Sequence, residues 1–115
     1  MEAPRTFYRL VENDPPTLRD FTSQEALGVS PRRRLSDQER DRWRGVSHCD
    51  SRAAAHKRGS QSPWLGQYVA EVQVPLGLSV RITQTGREPS HWTLWAAPAD
   101  LLSWVVSVTA AEGVH

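Results

Sequence analysis

The chain has 115 residues, a length typical of one domain, and 38% of them are hydrophobic, including five tryptophans. That apolar and aromatic content excludes a disordered protein, so a folded core is expected. The net charge of +1 argues against a protein built to bind a nucleic-acid backbone, and the single cysteine excludes an internal disulfide.

The N-terminal sequence MEAPRTFYRL carries charges and lacks an apolar run, so it is not typical of a signal peptide. No window approaches the roughly 18 apolar residues of a membrane span. We therefore expect a cytoplasmic protein. Every basic residue except Lys57 is arginine, a bias typical of GC-rich bacterial genomes.

The first predicted strand covers residues 6–12, where the side chains alternate between two faces. Phe7, Arg9 and Val11 share one of these faces. If that face points into the core, the Arg9 guanidinium lies among apolar groups and must be paired or contact a ligand.

Two helices flank a second strand in the middle of the chain. A capping-box pattern that begins at Ser36 predicts a helix over residues 37–44. Residues 45–48 predict a short strand, and Asp50 is expected to be the N-cap of a helix over residues 51–57.

The second half of the chain consists mainly of strands, predicted over residues 67–74, 79–83 and 91–96. A helical turn over residues 98–102 follows. The segment 104–109 is apolar and β-branched, which predicts a central strand buried on both faces. The order of elements predicts one α+β domain, in which a mostly antiparallel sheet of about five to six strands has its short helices segregated to one side.

Ser47, His48, Cys49 and His56 form the densest cluster of reactive side chains. A zinc site needs three or four ligands at characteristic spacing, and this pattern does not supply them, so no metal is expected. Cys49 and His48 are neighbours on a strand and point to opposite faces, so adjacency does not make them a catalytic pair.

Glu71 lies in the middle of the best-defined strand and has two interpretations. It is either a solvent-facing residue of a half-exposed sheet, or a carboxylate in a cleft that acts as acid, base or electrostatic stabiliser. His91, Trp92 and Trp95 are likewise either packing residues or a site that stacks a planar ring and hydrogen-bonds it.

The arrangement of Arg9 in YRLV, Ser47 in GVS, a helix with alanines, and a strand that carries Glu71 resembles ADP-ribosyltransferase-like folds. Small bacterial toxin domains that act on NAD belong to this group. The resemblance implies that NAD is the substrate, that Arg9 contacts the dinucleotide and that Ser47 supports the nicotinamide ribose. It also implies that Glu71 drives transfer or hydrolysis. His91 and Trp92 are the candidate stacking residues for the same ligand.

A second hypothesis is a non-enzymatic module that binds a protein partner through exposed tryptophan, because tryptophan is enriched among interface anchors. It predicts that Trp43, Trp64 or Trp95 is well exposed, and that no cleft joins Arg9 to Ser47.

A third hypothesis is a nucleic-acid accessory protein that uses the arginines of segments 32–34 and 40–44. The acidic residues interleaved with these arginines weaken it, so nucleic-acid binding is not expected. The geometric test between the first two hypotheses is whether Arg9, Ser47 and Glu71 converge.

Overall fold

The computed structural model of the protein describes residues 5–111, which form six strands, three α-helices and two 3₁₀ helices. The strands are β1 (Thr6–Val11), β2 (Val46–Cys49), β3 (Tyr68–Gln73), β4 (Arg81–Gln84), β5 (His91–Trp95) and β6 (Val105–Ala110). The helices are α1 (Asp37–Trp43), α2 (Arg52–Gln61) and α3 (Pro98–Ser103). The first 3₁₀ helix is Leu18–Phe21 and the second is Pro63–Leu65. No helix in this part of the chain is long and apolar enough to cross a membrane.

The six strands form one sheet in the order β4-β5-β2-β1-β3-β6, with every neighbouring pair antiparallel. This confirms the predicted α+β class and the antiparallel sheet. The prediction that residues 104–109 form a central strand was wrong, because β6 lies at one edge and Val106 is 54% exposed. Apolar, β-branched composition indicates a strand but does not fix its position in the sheet.

Both faces of the sheet are buried, and each is covered by a different helix. On one face, the first 3₁₀ helix and α3 supply Phe21 and Leu101 to a cluster with Phe7, Val11, Val46, Val72 and Leu94. On the other, α2 supplies Ala55 to a cluster with Leu10, Cys49 and Val69. The helices are therefore distributed over both faces, whereas the sequence placed them on one side, because alternate residues of β1 are apolar on both faces.

The helix starts show where local sequence is decisive. Ser36 Oγ accepts from the Glu39 backbone N–H at 3.1 Å and the Glu39 side chain accepts from the Ser36 N–H, which confirms the capping box of α1. The predicted N-cap of α2 was wrong by one residue. Ser51 caps this helix, and the Asp50 carboxylate instead accepts from Trp92 Nε1 at 3.1 Å.

The two central strands pair unequally with their neighbours. β1 pairs with β3 along its whole length, whereas β1 and β2 are in register at one position only, Tyr8 opposite Cys49. Because β1 and β2 run antiparallel, the second half of β1 and the first half of β2 separate beyond this point. A gap therefore opens in the middle of the sheet.

Candidate functional site

A cleft of about 360 Å³ lies where β1 and β2 separate. Its walls come from both strands, from the segment 19–27, from the end of α2 with the second 3₁₀ helix, and from the start of β5. This volume falls within the roughly 300–1,000 Å³ of small-molecule sites. The gap in the strand pairing thus opens a concave site between the two central strands.

The Arg9 guanidinium crosses the gap and takes the place of the missing strand pairing. Its Nε donates to the Asp20 carbonyl at 2.7 Å, and its Nη1 donates to the Ser47 carbonyl at 2.6 Å. Arg9 is therefore paired, which is one of the two alternatives expected for an inward-facing guanidinium. Burial lowers the pKa of Arg9 to about 10, with Asp20 opposing this shift and Arg58 adding to it, so Arg9 remains a cation at neutral pH.

Asp20 fixes the segment that holds Arg9. Its carboxylate accepts from the backbone N–H groups of Glu12 and Thr17, both at 2.8 Å, and from the Asn13 amide at 3.2 Å. Burial acts to raise the pKa of Asp20, but these hydrogen bonds outweigh it and the pKa is lowered overall. The buried carboxylate is therefore ionised, and it is saturated by donors of its own loop.

Arg58 brings a second cation to the cleft from the C-terminal half of α2. The helix lies so close to β1 here that a Cβ added to Gly59 would come within 2.9 Å of the Leu10 side chain. Among residues 5–111 Arg58 makes no ion pair, and its charge acts to lower the pKa of both Arg9 and His91. Two guanidinium groups that repel each other across one cleft attract an anion. Sequence reasoning missed Arg58, although its place before a helical glycine marks a close approach.

Ser47 lies on the cleft wall, where its carbonyl rather than its hydroxyl meets Arg9. It is half-buried and stands opposite Thr93 of β5. His48 and Cys49, the next two residues, also line the cleft, but neither is in the ionised form. Burial lowers the pKa of His48 to about 3, and burial raises the pKa of the Cys49 thiol, so both side chains are neutral at pH 7.

Glu71 does not join Arg9 and Ser47. It is absent from the residues that line the cleft, and its Oε1 accepts from Arg52 Nη2 at 2.8 Å. Strand alternation places Glu71 opposite Tyr8, on the face that α2 covers. The first turn of that helix supplies Arg52 as a counter-ion, so the predicted catalytic carboxylate is a structural ion-pair partner.

Trp92 also lies outside the cleft, whereas its neighbour His91 lines it. The Trp92 ring packs against Phe7 with a centroid distance of 6.1 Å, and its indole nitrogen donates to Asp50. Adjacent residues of a strand point to opposite faces, which explains why the predicted pair is divided. The interpretation of Trp92 as a packing residue therefore fits the structure better than cofactor binding.

Of the three tryptophans considered as interface anchors, Trp64 is the exposed one, at 75%. It lies on the second 3₁₀ helix and lines the rim of the cleft. Trp43 and Trp95 are half-buried, and Trp95 donates to the Asp41 carbonyl while Arg81 stacks on its ring 3.8 Å from the centroid. The sequence indicated Trp64 only as a candidate interface anchor and did not associate it with the site.

Some arginines of the segments considered for nucleic-acid binding form ion pairs with acidic side chains. Arg33 pairs with Glu39, and Arg44 pairs with Glu25 at 3.0 Å. Within the described part of the chain, no group of three or more His, Cys, Asp or Glu side chains is placed to hold a metal ion.

Comparisons with protein-family models, with curated proteins and with solved structures found no match to this chain.

Proposed function

We propose that the chain is an NAD-binding domain of the ADP-ribosyltransferase-like type, with the cleft between β1 and β2 as its nucleotide site. The observation that carries the proposal is the 2.6 Å bond between Arg9 and Ser47. The resemblance assigns these two residues to one site, and they stand 38 positions apart and meet, through the Ser47 carbonyl, on the wall of the same cleft.

The charges of the cleft suit a pyrophosphate. Arg9 uses two of its five N–H groups on backbone carbonyls, which leaves three outside those bonds. Arg58 has no acidic partner among the described side chains. A doubly charged phosphate bridge between the two guanidinium groups relieves their repulsion and receives charge-assisted hydrogen bonds. Ser47 and His91 then lie on the wall available to the nicotinamide ribose.

The proposal assigns no role to Glu71, since its ion pair with Arg52 holds it outside the cleft. The two carboxylates that do line the cleft are Asp20 and Glu12. Asp20 is occupied by its hydrogen bonds, whereas Glu12 is exposed.

Titration of the purified protein with NAD, followed by calorimetry, tests the proposal. Arg58→Gln removes the charge and keeps much of the side chain, and Arg32→Gln is the matched control because Arg32 is exposed and lies outside the cleft. A hydrogen bond to a charged group contributes about 1.5–3 kcal/mol, so Arg58→Gln should weaken NAD binding by about 10- to 100-fold. Absence of NAD binding by the unaltered protein, or equal affinities of the two variants, would refute the proposal.

The second candidate function is the protein-interaction module, which the exposure of Trp64 favours. Trp64→Ala separates the two functions in the same titration. If Trp64 stacks on a ring of the nucleotide, the variant binds NAD more weakly; if it anchors a protein partner, NAD affinity is unchanged.

A further inference from the structure

His91 presents one defined tautomer to the cleft. Its Nδ1 lies 3.0 Å from the Thr85 carbonyl oxygen. Nδ1 also lies 3.0 Å from the Thr85 hydroxyl, which itself lies 2.7 Å from Thr93 Oγ1. Because a carbonyl oxygen only accepts, we assign the proton to Nδ1, with the Thr85 hydroxyl as a second acceptor, and Nε2 of the neutral ring then holds an unshared electron pair. Nε2 lies on the ring edge away from Nδ1 and makes no hydrogen bond with residues 5–111. His91 therefore offers the cleft a proton acceptor.

His48, on the neighbouring strand, shows the same anchoring in a different environment. Its Nδ1 lies 3.0 Å from the Val46 carbonyl, but its Nε2 is buried without a partner. Its ring packs against Phe7 and Phe21, with centroid distances of 6.1 and 6.4 Å. His48 is 2% exposed, whereas His91 is half-buried on the cleft wall. A ligand can therefore reach Nε2 of His91 but not Nε2 of His48.

The surroundings keep His91 neutral. Burial lowers its pKa, the cations of Arg58 on α2 and Arg42 on α1 lower it further, and the Thr85 carbonyl opposes them. A neutral imidazole accepts a proton at pH 7, whereas an imidazolium does not.

No thiol or hydroxyl of residues 5–111 hydrogen-bonds to Nε2 of His91, and the Thr85 hydroxyl contacts Nδ1 instead, at 3.0 Å. Cys49 stands opposite His91 in register, but it is 6% exposed, burial raises the pKa of its thiol, and it makes no hydrogen bond to His91. An activated cysteine requires a lowered pKa and a hydrogen-bonded base. The group that His91 deprotonates must therefore enter the cleft with the substrate, and water is the simplest such group.

We infer that His91 is the general base of the cleft and activates water for hydrolysis of the nicotinamide–ribose bond of NAD, an inference that rests on the proposed function. The oxygen of water forms a bond to C1′ of the ribose. The bond between C1′ and the nicotinamide nitrogen breaks, and its electron pair stays with nicotinamide. The proton of the attacking water passes to His91 Nε2 and then to solvent. The products are ADP-ribose, nicotinamide and a proton, so the step needs no oxidant or reductant.

Release of nicotinamide at saturating NAD, compared between the unaltered protein and His91→Gln, is the decisive measurement. General base catalysis contributes about 10²–10⁴-fold, so kcat should fall at least about 100-fold while the Kd for NAD from calorimetry stays unchanged. Arg32→Gln should keep both values. The unchanged Kd also shows that the variant folds, because unfolded protein would not bind NAD.

The pH dependence of kcat distinguishes a general base from a residue that only supports the structure. The rate should fall on acidification with a midpoint below pH 6.5, and this acidic limb should be absent from the residual activity of His91→Gln. The charged and titratable groups that act on His91 or stand opposite it are Arg58, Arg42, Cys49 and His48. The arginines keep their charge across this range, and His48, whose pKa is about 3, stays neutral in the upper part of it.

Three outcomes overturn the inference and leave the proposed function standing, and a fourth overturns both. Binding of NAD without nicotinamide release removes the hydrolysis step while the NAD site stands. Equal kcat in His91→Gln removes the role of His91. An Nε2–H tautomer of His91 in ¹⁵N NMR spectra of the folded protein removes the acceptor. Absence of NAD binding removes the proposed function and, with it, this inference.

Discussion

The buried His48 makes the stability of the protein depend on pH near pH 5–7, a range above the ordinary pKa values of carboxylates. Burial lowers its pKa to about 3 from an ordinary value of 6.5, because the charged ring would lose its hydration between Phe7 and Phe21. The folded state therefore stays neutral at His48 while the unfolded chain takes up a proton below pH 6.5. Stability is complete above pH 6.5 and is lost progressively as the pH falls toward 3.

The size of this effect follows from linkage. With pKa values of about 6.5 unfolded and 3 folded, the free energy of unfolding should fall by about 2 kcal/mol between pH 7 and pH 5 on account of His48. Urea denaturation followed by circular dichroism at the two pH values measures the difference. The lowered pKa of His91 adds a loss of the same sign, so His91→Gln serves as the control for its share.

The matched variant is His48→Leu, which has a side chain of similar volume and no ionisable group. Whatever its stability at pH 7, its loss between pH 7 and pH 5 should be smaller than that of the unaltered protein by about 2 kcal/mol. An equal loss in the two proteins would show that His48 does not resist protonation in the folded state, and the reasoning would fail.

Four substitutions test the scaffold of the site, and one of them, Gly77→Ala, is a control. Arg9→Met should lower the free energy of unfolding by about 2–3 kcal/mol, because it leaves two partly buried carbonyls without their donors; a loss below about 0.5 kcal/mol in urea denaturation would contradict this role. Gly66→Ala should cost at least about 2 kcal/mol, because φ is 150° and its Cβ would lie 2.4 Å from a backbone oxygen of β1. Gly77→Ala is the control, because φ is 86° there and no atom lies within 4 Å of the added Cβ. It should lower the melting temperature less than Gly66→Ala does, and the reverse order would be inconsistent with this packing. Glu71→Gln breaks a partly exposed ion pair with Arg52, so it should cost at most about 1 kcal/mol and leave NAD affinity unchanged in calorimetry; weaker NAD binding would return Glu71 to the site.

The sequence by itself determined most of the elements and the sense of the sheet. Alternation is a local property, so β1, β3 and β5 were located from the chain alone, and the capping box at Ser36 located the start of α1. The need for a partner at Arg9 also followed from the sequence, because a guanidinium flanked on its face by Phe7 and Val11 requires one.

Only the tertiary structure decided which of the candidate residues share a site. Arg9 meets Ser47 because β1 and β2 pair at one position and then separate, and strand patterns carry no information on where a ladder ends. Arg58 reaches the same cleft because α2 packs closely on β1 at Gly59. Glu71, which has the same local pattern as a cleft carboxylate, is held by Arg52 on the α2-covered face. Side-chain spacing along a strand fixes the face of a residue, but strand order and helix packing, which depend on long-range contacts, fix its neighbours.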